Sequence, residues 1–307
     1  MSHQLPPQGT TDRRWRVGRL FGAVAILAAV AGGVLWLGRG RDEGAPPSEG
    51  PKDVAALFAA IQGNVKTRPV GGLDWATAEM KVPLRKSDLV RTYPSSSAEI
   101  KFFDETRVTV RPDSLITIEE TSRDPRSTVG KVAWKVSSGE INYETTRRDS
   151  GSTEAFTPTF RLALEGNSAG TMRVGDGGLT AVAQHAGAAN IETKTGEKIR
   201  LAANEGVRVD ASGRAGAKQV LPEPPAPKPI GDKGVLTLLE GAPVPVAWSA
   251  SSGSSQYRVI VELKTPSGLE QVYDKDQIRG TSVTVPGLGE GDYVARVAGQ
   301  TFDGVYG

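Results

Sequence analysis

The 307-residue chain contains no cysteine, which excludes disulfide frameworks, thiolate metal sites, cysteine nucleophiles and a lipidated cysteine anchor. It has only two histidines, His3 and His185, which argues against a multi-histidine zinc site or a histidine relay. The 37 basic and 35 acidic residues leave a formal charge of +2, so the chain as a whole is not a nucleic-acid-binding polycation. We therefore expect no cofactor, no bound metal and no nucleic-acid partner.

The composition that remains, with 37 glycines and 20 prolines, favours a turn-rich β protein over a helical one. Residues 98–102 and 107–110 alternate apolar and polar side chains, as half-buried strands do, and Asp104-Glu105 between them has hairpin spacing. Further strand-like segments follow as far as residue 209, with glycine in most of the gaps. This pattern predicts an all-β sandwich or roll.

A second hairpin is predicted where residues 132–136 and 141–145 flank Ser138-Gly139. Shorter strand-like segments recur near the end of the chain, from Val244 to Val297, and turn signals rich in proline and glycine separate them. They predict a smaller β module after the larger one.

The chain also carries one candidate membrane span, the nineteen uncharged residues from Leu20 to Gly38. A helix of that length reaches about 28 Å, close to the ~30 Å hydrocarbon core of a bilayer. Four arginines between positions 13 and 19 precede it and favour a cytoplasmic amino terminus. We predict a single-pass anchor in a bacterial inner membrane with the bulk of the chain in the periplasm. The alternative is a signal peptide that is cleaved near Ala29-Val30-Ala31.

Two segments rich in proline and charge divide the rest. The second has five prolines among residues 221–229 and predicts an extended spacer that would hold its neighbours roughly 25–30 Å apart. The predicted organisation is a short cytoplasmic tail (1–19), a transmembrane helix (20–38), a linker (39–52), a β domain (53–219), a proline-rich linker (220–230) and a β-sandwich module (231–307).

The larger domain resembles the FecR domain family over about residues 54–210. The resemblance is carried by a run of strand and turn positions: Leu84, Asp88, Val90, Thr92, Ser97, Ile100, Phe102, Asp104, Ser114, Ile116 and Ile118. Ser87 and Glu105 depart from it, because the family usually has glycine at both. Positive φ costs a glutamate about 1 kcal/mol, so we expect a looser turn at Asp104-Glu105-Thr106.

The last segment, 235–307, resembles a fibronectin type III module, through residues 246–248 and 257–259. The chain ends at Gly307, where such a module still needs its final strand. Either the module is incomplete, a partner pairs its open edge, or the sequence is a fragment.

No catalytic constellation accompanies these patterns. We expect Asp88 and Asp104 to cap turns rather than to bind calcium, and His185 to lie on a strand surface. Trp75 and Trp134 are the candidate partner-binding residues, although tryptophan in a β domain usually packs in the core.

These features predict a non-enzymatic, membrane-anchored binding or scaffolding protein of the cell envelope. Its partner would be an envelope protein or a glycan such as peptidoglycan. The alternative, which the family resemblance implies, is a transmembrane signal-transducing regulator of an extracytoplasmic-function sigma factor.

Overall fold

A computed structural model of the protein describes residues 55–123, 130–146, 151–229, 241–266, 268–301 and 305–306. The predicted tail, membrane span and first linker lie outside these residues. In the part of the chain that the structure does describe, no helix is long and apolar enough to cross a bilayer. All its regular elements are strands apart from one 3₁₀ turn, Asp176–Gly178. The all-β prediction is confirmed for these residues.

The first sixteen strands form the N-terminal β region, which we define as residues 55–220. They are β1 (Ala56–Gln62), β2 (Val65–Arg68), β3 (Ala76–Thr77), β4 (Leu89–Thr92), β5 (Ser97–Phe102), β6 (Arg107–Val110), β7 (Leu115–Arg123), β8 (Gly130–Glu144), β9 (Ser152–Phe156), β10 (Phe160–Leu164), β11 (Ala169–Val174), β12 (Thr180–Ala186), β13 (Ala189–Thr193), β14 (Lys198–Leu201), β15 (Glu205–Val209) and β16 (Gln219–Val220).

These strands pair into two sheets. The first sheet has the order β1-β5-β6-β8-β11-β12-β15-β16, and the second has the order β3-β2-β4-β7-β8-β9-β10-β13-β14. The predicted alternation holds, because Ile100 and Phe102 on β5 and Ile116 on β7 are all buried while their neighbours are not. Apolar faces of both sheets supply one core. Trp134 of the second sheet packs between Phe102 and Tyr143 of the first, with ring centroids 5.7 and 6.5 Å away.

Strand β8 belongs to both sheets, which corrects the prediction of a hairpin at Ser138-Gly139. Its residues 130–138 pair with β7, and its residues 139–144 pair with β6 and β11. Gly139 has φ +87°, a backbone conformation that glycine adopts without steric cost. The glycine that suggested a turn is therefore the point at which one continuous strand leaves the second sheet for the first.

A three-residue brace holds this crossing in place. The Thr92 hydroxyl donates to the carbonyl of Arg111 (2.6 Å) and accepts from the backbone amide of Ser114 (3.0 Å). The Ser114 hydroxyl in turn accepts from the amide of Glu140 at 2.9 Å. A Cβ at Gly139 would overlap both the side chain and the backbone of Ser114, so glycine is required for close packing as well as for its φ.

The same brace recurs later in the chain. The Thr145 hydroxyl donates to the carbonyl of Glu165 (3.1 Å) and accepts from the amide of Ser168 (2.9 Å). The Ser168 hydroxyl donates to the carbonyl of Ala188 at 2.9 Å, and it lies under Gly187, which has φ +70°. The threonine–serine–glycine arrangement thus recurs at two points where the chain passes from one sheet to the other.

The last five strands form the C-terminal β region, which we define as residues 241–306. They are β17 (Val244–Ala247), β18 (Gln256–Thr265), β19 (Gly268–Ile278), β20 (Ser282–Val285) and β21 (Tyr293–Gln300). They pair into a two-stranded sheet, β17-β20, and a three-stranded sheet, β19-β18-β21. A small core around Trp248 lies between them.

The proline-rich segment does not hold the two β regions apart, so the expected spacing is wrong. Its end pairs with the C-terminal region: the amide of Lys228 donates to the carbonyl of Ala247 (2.9 Å), and the amide of Ser249 donates to the carbonyl of Ala226 (2.8 Å). The regions themselves touch, because Arg111 and Glu262 form an ion pair of 2.9 Å. The prolines give the segment an extended shape, and edge pairing then fixes it beside a strand.

Candidate functional site

The residues that carry the family resemblance have structural roles. Nine of them are buried in strands or turns: Leu84, Asp88, Val90, Thr92, Ile100, Phe102, Ser114, Ile116 and Ile118. Ser97 is only half-buried, and its neighbour Ser96 is the buried serine, whose hydroxyl accepts from the amide of Asn64 at 2.8 Å. None of these side chains presents reactive chemistry at the surface.

Asp88 holds together the turn before β4. Its carboxylate accepts from the amide of Val70 at 3.0 Å and from the amide of Arg85 at 2.9 Å. This use of both oxygens for backbone amides matches the predicted capping role. Ser87 beside it has φ +68°, so serine takes the conformation that the family usually gives to glycine.

Asp104 organises the hairpin between β5 and β6. Its two carboxylate oxygens accept from the amide of Thr106 (3.0 Å) and from the hydroxyl of Thr106 (2.6 Å). The backbone amide of Phe102 donates to the carbonyl of Thr106 and closes the turn. Three residues lie between these two, and the last of them, Glu105, has φ +68°. The turn is longer than a two-residue hairpin, as expected, but Glu105 still adopts the positive φ that the looser turn was expected to avoid, so that part of the expectation is wrong.

The two candidate tryptophans lie in different surroundings. Trp134 is fully buried in the main core, so its ring is not open to a partner. Trp75 is half-buried in the connection between β2 and β4, where the Arg68 guanidinium lies 5.0 Å from its ring centroid. Of the two, only Trp75 presents part of its surface.

A cluster of charged and polar side chains lies where the two β regions meet, at residues that the sequence did not indicate. Arg111 donates to Glu262 (2.9 Å) and to Gln271 (2.8 Å). In the opposite sense, Arg258 of the C-terminal region donates to Glu140 of the N-terminal region at 2.5 Å. Each region therefore supplies one arginine and one carboxylate, and this charge arrangement fixes how the two surfaces dock.

Arg258 is the centre of this contact. It also forms a two-pronged pair with Asp274 (2.8 and 2.6 Å) and lies 5.2 Å from the ring of Tyr306. Burial disfavours the charged form of Arg258, but the hydrogen bond to Asp274 and the attraction of Glu140 outweigh it and raise its pKa. The same burial raises the pKa of Tyr306, whose hydroxyl accepts from Arg173 at 2.5 Å.

A groove opens beside these ion pairs, and we call it the junction groove. It encloses about 230 Å³, and a neighbouring cleft of about 380 Å³ shares three of its side chains, Asn142, Thr171 and His185. The Thr171 hydroxyl donates to the Asn142 carbonyl oxygen at 3.0 Å and lies 3.2 Å from Nε2 of His185. Three side chains thus form a row of hydrogen-bonding groups across neighbouring strands.

The row contains no carboxylate and no arginine. His185 lies at the surface of a strand, as expected, and desolvation by its neighbours lowers the pKa of its imidazole, which favours the neutral ring. The arginines alongside are engaged by carboxylates. The groove therefore offers amide, hydroxyl and imidazole groups rather than a field of one sign, which suits a neutral polar ligand.

Sequence alone gave only a partial signal for this site. On β18, Tyr257, Val259 and Val261 face the small core, so the alternation leaves Arg258 and Glu262 on the opposite face. That face is polar in the sequence, but no local pattern shows that it contacts residues more than a hundred positions away.

No protein-family model matches this chain, and no curated protein matches it. Two crystal structures of a candidate anti-sigma factor from Parabacteroides distasonis are similar to it, with 14% and 15% sequence identity. In both, 43% of this chain aligns with a TM-score of 0.36. The chain spans 59% of the length of those structures. A likeness of this degree carries no argument about function.

Proposed function

We propose that this protein is a non-catalytic, FecR-like binding protein of the bacterial inner membrane. Residues 20–38 anchor it to the bilayer, residues 1–19 are cytoplasmic, and the two β regions work in the periplasm. The C-terminal region would be a fibronectin-like module that binds a partner together with the larger region. A reporter fused after Gly307 would be active only in the periplasm if this orientation is correct.

The junction groove is the observation that carries the proposal. Ligand sites concentrate where two folded modules meet, and residues of both β regions line this groove, Asn142 from one and Arg258 from the other. Reciprocal ion pairs hold its walls together without drawing on its row of neutral polar groups. The groove thus has fixed walls and free hydrogen-bonding capacity, which is what recognition of a polar partner requires.

The chemistry of the row favours a neutral, hydroxyl-rich ligand over a charged one. Amide, hydroxyl and imidazole groups donate and accept in turn, as the hydroxyl and acetamido groups of a glycan strand do. Peptidoglycan is the polymer nearest to a protein anchored in this membrane. A polar loop of an envelope protein offers similar neutral hydrogen-bonding groups and is the other candidate partner.

The test is co-sedimentation of the detergent-solubilised full-length protein with purified peptidoglycan sacculi. The double variant Asn142→Ala/His185→Ala should bind at least about tenfold more weakly, because each lost hydrogen bond costs about 1 kcal/mol. Asn190→Ala is the matched control, since Asn190 is exposed on the second sheet. Equal binding by all three proteins would exclude the junction groove as the glycan site. No binding by any of them would exclude the glycan and leave an envelope protein as the partner to seek by periplasmic crosslinking.

The alternative is a regulator of an extracytoplasmic-function sigma factor. The sequence feature in its favour is Trp15 within an arginine-rich tail, which could fold on a cytoplasmic partner. Replacing residues 1–19 by an unrelated basic tail separates the two functions. The replacement leaves an envelope scaffold intact, whereas it abolishes the control of a sigma factor.

A further inference from the structure

Exposed apolar side chains are concentrated in one part of the N-terminal β region. Four of the seven large apolar residues that are exposed among the described residues lie within positions 70–82: Val70, Leu73, Met80 and Val82. Leu73 is the most exposed of all, at 91%. Such a concentration is unusual for a surface that faces only water. We call the segment 66–86 the apolar loop.

Positive charge accompanies these side chains. The apolar loop contains five basic residues (Lys66, Arg68, Lys81, Arg85 and Lys86) and two acidic ones, Asp74 and Glu79, which gives it a net charge of +3. The whole chain carries only +2, so the remainder is close to neutral. The charge is therefore local to the segment that also exposes the apolar side chains.

The loop is held in a defined shape. The amide of Val70 donates to the buried carboxylate of Asp88, and the Lys66 ammonium donates to the Thr77 hydroxyl at 3.0 Å. Leu73 thus projects from a fixed hairpin between β2 and β3. The exposed side chains are not a local failure of packing but the outward face of an ordered element.

The loop also lies where the chain arrives from its amino terminus. The amide of Ala55 donates to the carbonyl of Leu84 at 2.8 Å, which places the first described residue against the end of the loop. The predicted span ends at residue 38, so sixteen residues separate it from Ala55. Even fully extended, that length of chain reaches only about 55 Å, so the bilayer surface is within reach of the loop.

We infer that the apolar loop docks on the surface of an anionic phospholipid bilayer. Apolar side chains bind a bilayer by burying themselves between the headgroups and the acyl chains. Lysines and arginines beside them add electrostatic attraction to anionic lipids. Trp75, half-buried and stacked with Arg68, has the amphipathic ring that is common at this depth. Docking would fix the β regions close to the membrane.

The absence of cysteine permits a direct test in the full-length protein. The Leu73→Cys variant is labelled with an environment-sensitive fluorophore and reconstituted into nanodiscs. These nanodiscs contain 30% phosphatidylglycerol and a lipid that carries a quencher at a shallow depth. Val220→Cys is the matched control, because Val220 is also a strongly exposed apolar residue (75%) but lies on β16 outside the loop. We expect at least twofold stronger quenching at position 73 than at position 220.

Two further measurements decide what holds the loop. Zwitterionic nanodiscs, or the added substitutions Lys81→Glu and Lys86→Glu, should reduce the quenching at position 73 to the level of the control, because the attraction to anionic lipid is lost. Equal quenching at 73 and 220 in anionic nanodiscs would overturn the inference and leave the loop to a protein partner. Sacculus binding is measured separately, so failure of the glycan proposal leaves this result unaffected.

Discussion

The two β regions differ in what stabilises them. The core of the N-terminal region contains thirty buried apolar residues among those described, whereas the core around Trp248 contains six. A core of six side chains supplies little more than a few kcal/mol against the entropy of ordering the chain. The smaller region must therefore gain stability from contacts outside its own core, and its ion pairs with the larger region are among them.

The comparison also shows two ways of using polar residues. In the N-terminal region, buried polar groups such as Thr92 and Ser114 satisfy backbone amides within one sheet junction. In the C-terminal region, Arg258 and Glu262 pair across the boundary between regions. The first use makes a fold self-sufficient, and the second makes one region depend on its neighbour.

Truncation of the main core should have the largest effect. Trp134→Ala removes a fully buried ring that contacts both sheets, so we expect unfolding free energy to fall by about 3–5 kcal/mol. Chemical denaturation of the protein in detergent measures it. Trp75→Ala is the control, with an expected loss below about 1 kcal/mol because its ring is partly exposed. Similar losses for both would show that the larger core is not what stabilises this region.

Loss of the ionic contact should affect only the smaller region. Arg258→Met leaves the carboxylates of Glu140 and Asp274 without their partner, and we expect a loss of about 3 kcal/mol. Hydrogen exchange followed by mass spectrometry should show faster exchange in residues 241–301 and little change in 55–220.

Arg296→Met is the control for this prediction. Arg296 is likewise an arginine of the smaller region in an ion pair, here with Glu262, but its side chain is 60% exposed. Removal of this exposed ion pair should lower the unfolding free energy by less than about 1 kcal/mol. Faster exchange throughout both regions in Arg258→Met would mean that they unfold as one unit, and the contrast between them would then fail.

A backbone substitution tests the self-sufficiency of the larger region. Gly139 and Gly196 have nearly the same φ, +87° and +86° respectively. Of the substitutions Gly139→Ala and Gly196→Ala, only the first would place a methyl group into Ser114. We expect both to lose about 1 kcal/mol from positive φ, and Gly139→Ala to lose roughly 2 kcal/mol more from overlap. Equal melting temperatures would show that the brace yields without cost.

The smallest expected effect is a gain. Glu105→Gly relieves positive φ at the hairpin, while it loses only an exposed ion pair with Lys101, so stability should rise by about 0.5–1 kcal/mol. Glu105→Ala keeps the strained φ and should bring no gain. A loss in the glycine variant would mean that the ion pair outweighs the strain.

The sequence predicted the strands in which apolar and polar side chains alternate. It failed where this alternation does not distinguish a strand from another structure. Residues 98–102 and 107–110 were predicted as strands and lie in β5 and β6, because buried and more exposed side chains alternate there. Strand β19 was missed, since its eleven residues are largely polar and only half-buried. At Gly139 a glycine is compatible either with a turn or with a strand that passes between sheets. Only its contact with Ser114, which is distant in sequence, distinguishes the two.

The candidate site was less predictable than the fold. Trp75 was a candidate from its residue type, but it lies outside the junction groove. The pairing of Arg111 with Glu262 joins positions 151 apart, and no local pattern encodes it. Asp88 and Asp104 were interpreted correctly because a carboxylate that caps a turn acts on amides within a few positions along the chain or in the adjacent loop.

The sharing of β8 between two sheets has a mechanical consequence. A load applied at Ala55 enters the first sheet through β1 and spreads to β8 through the hydrogen-bonded ladders of β5 and β6. At Gly139 the backbone of β8 continues into the second sheet, so this one strand would share the load between both sheets.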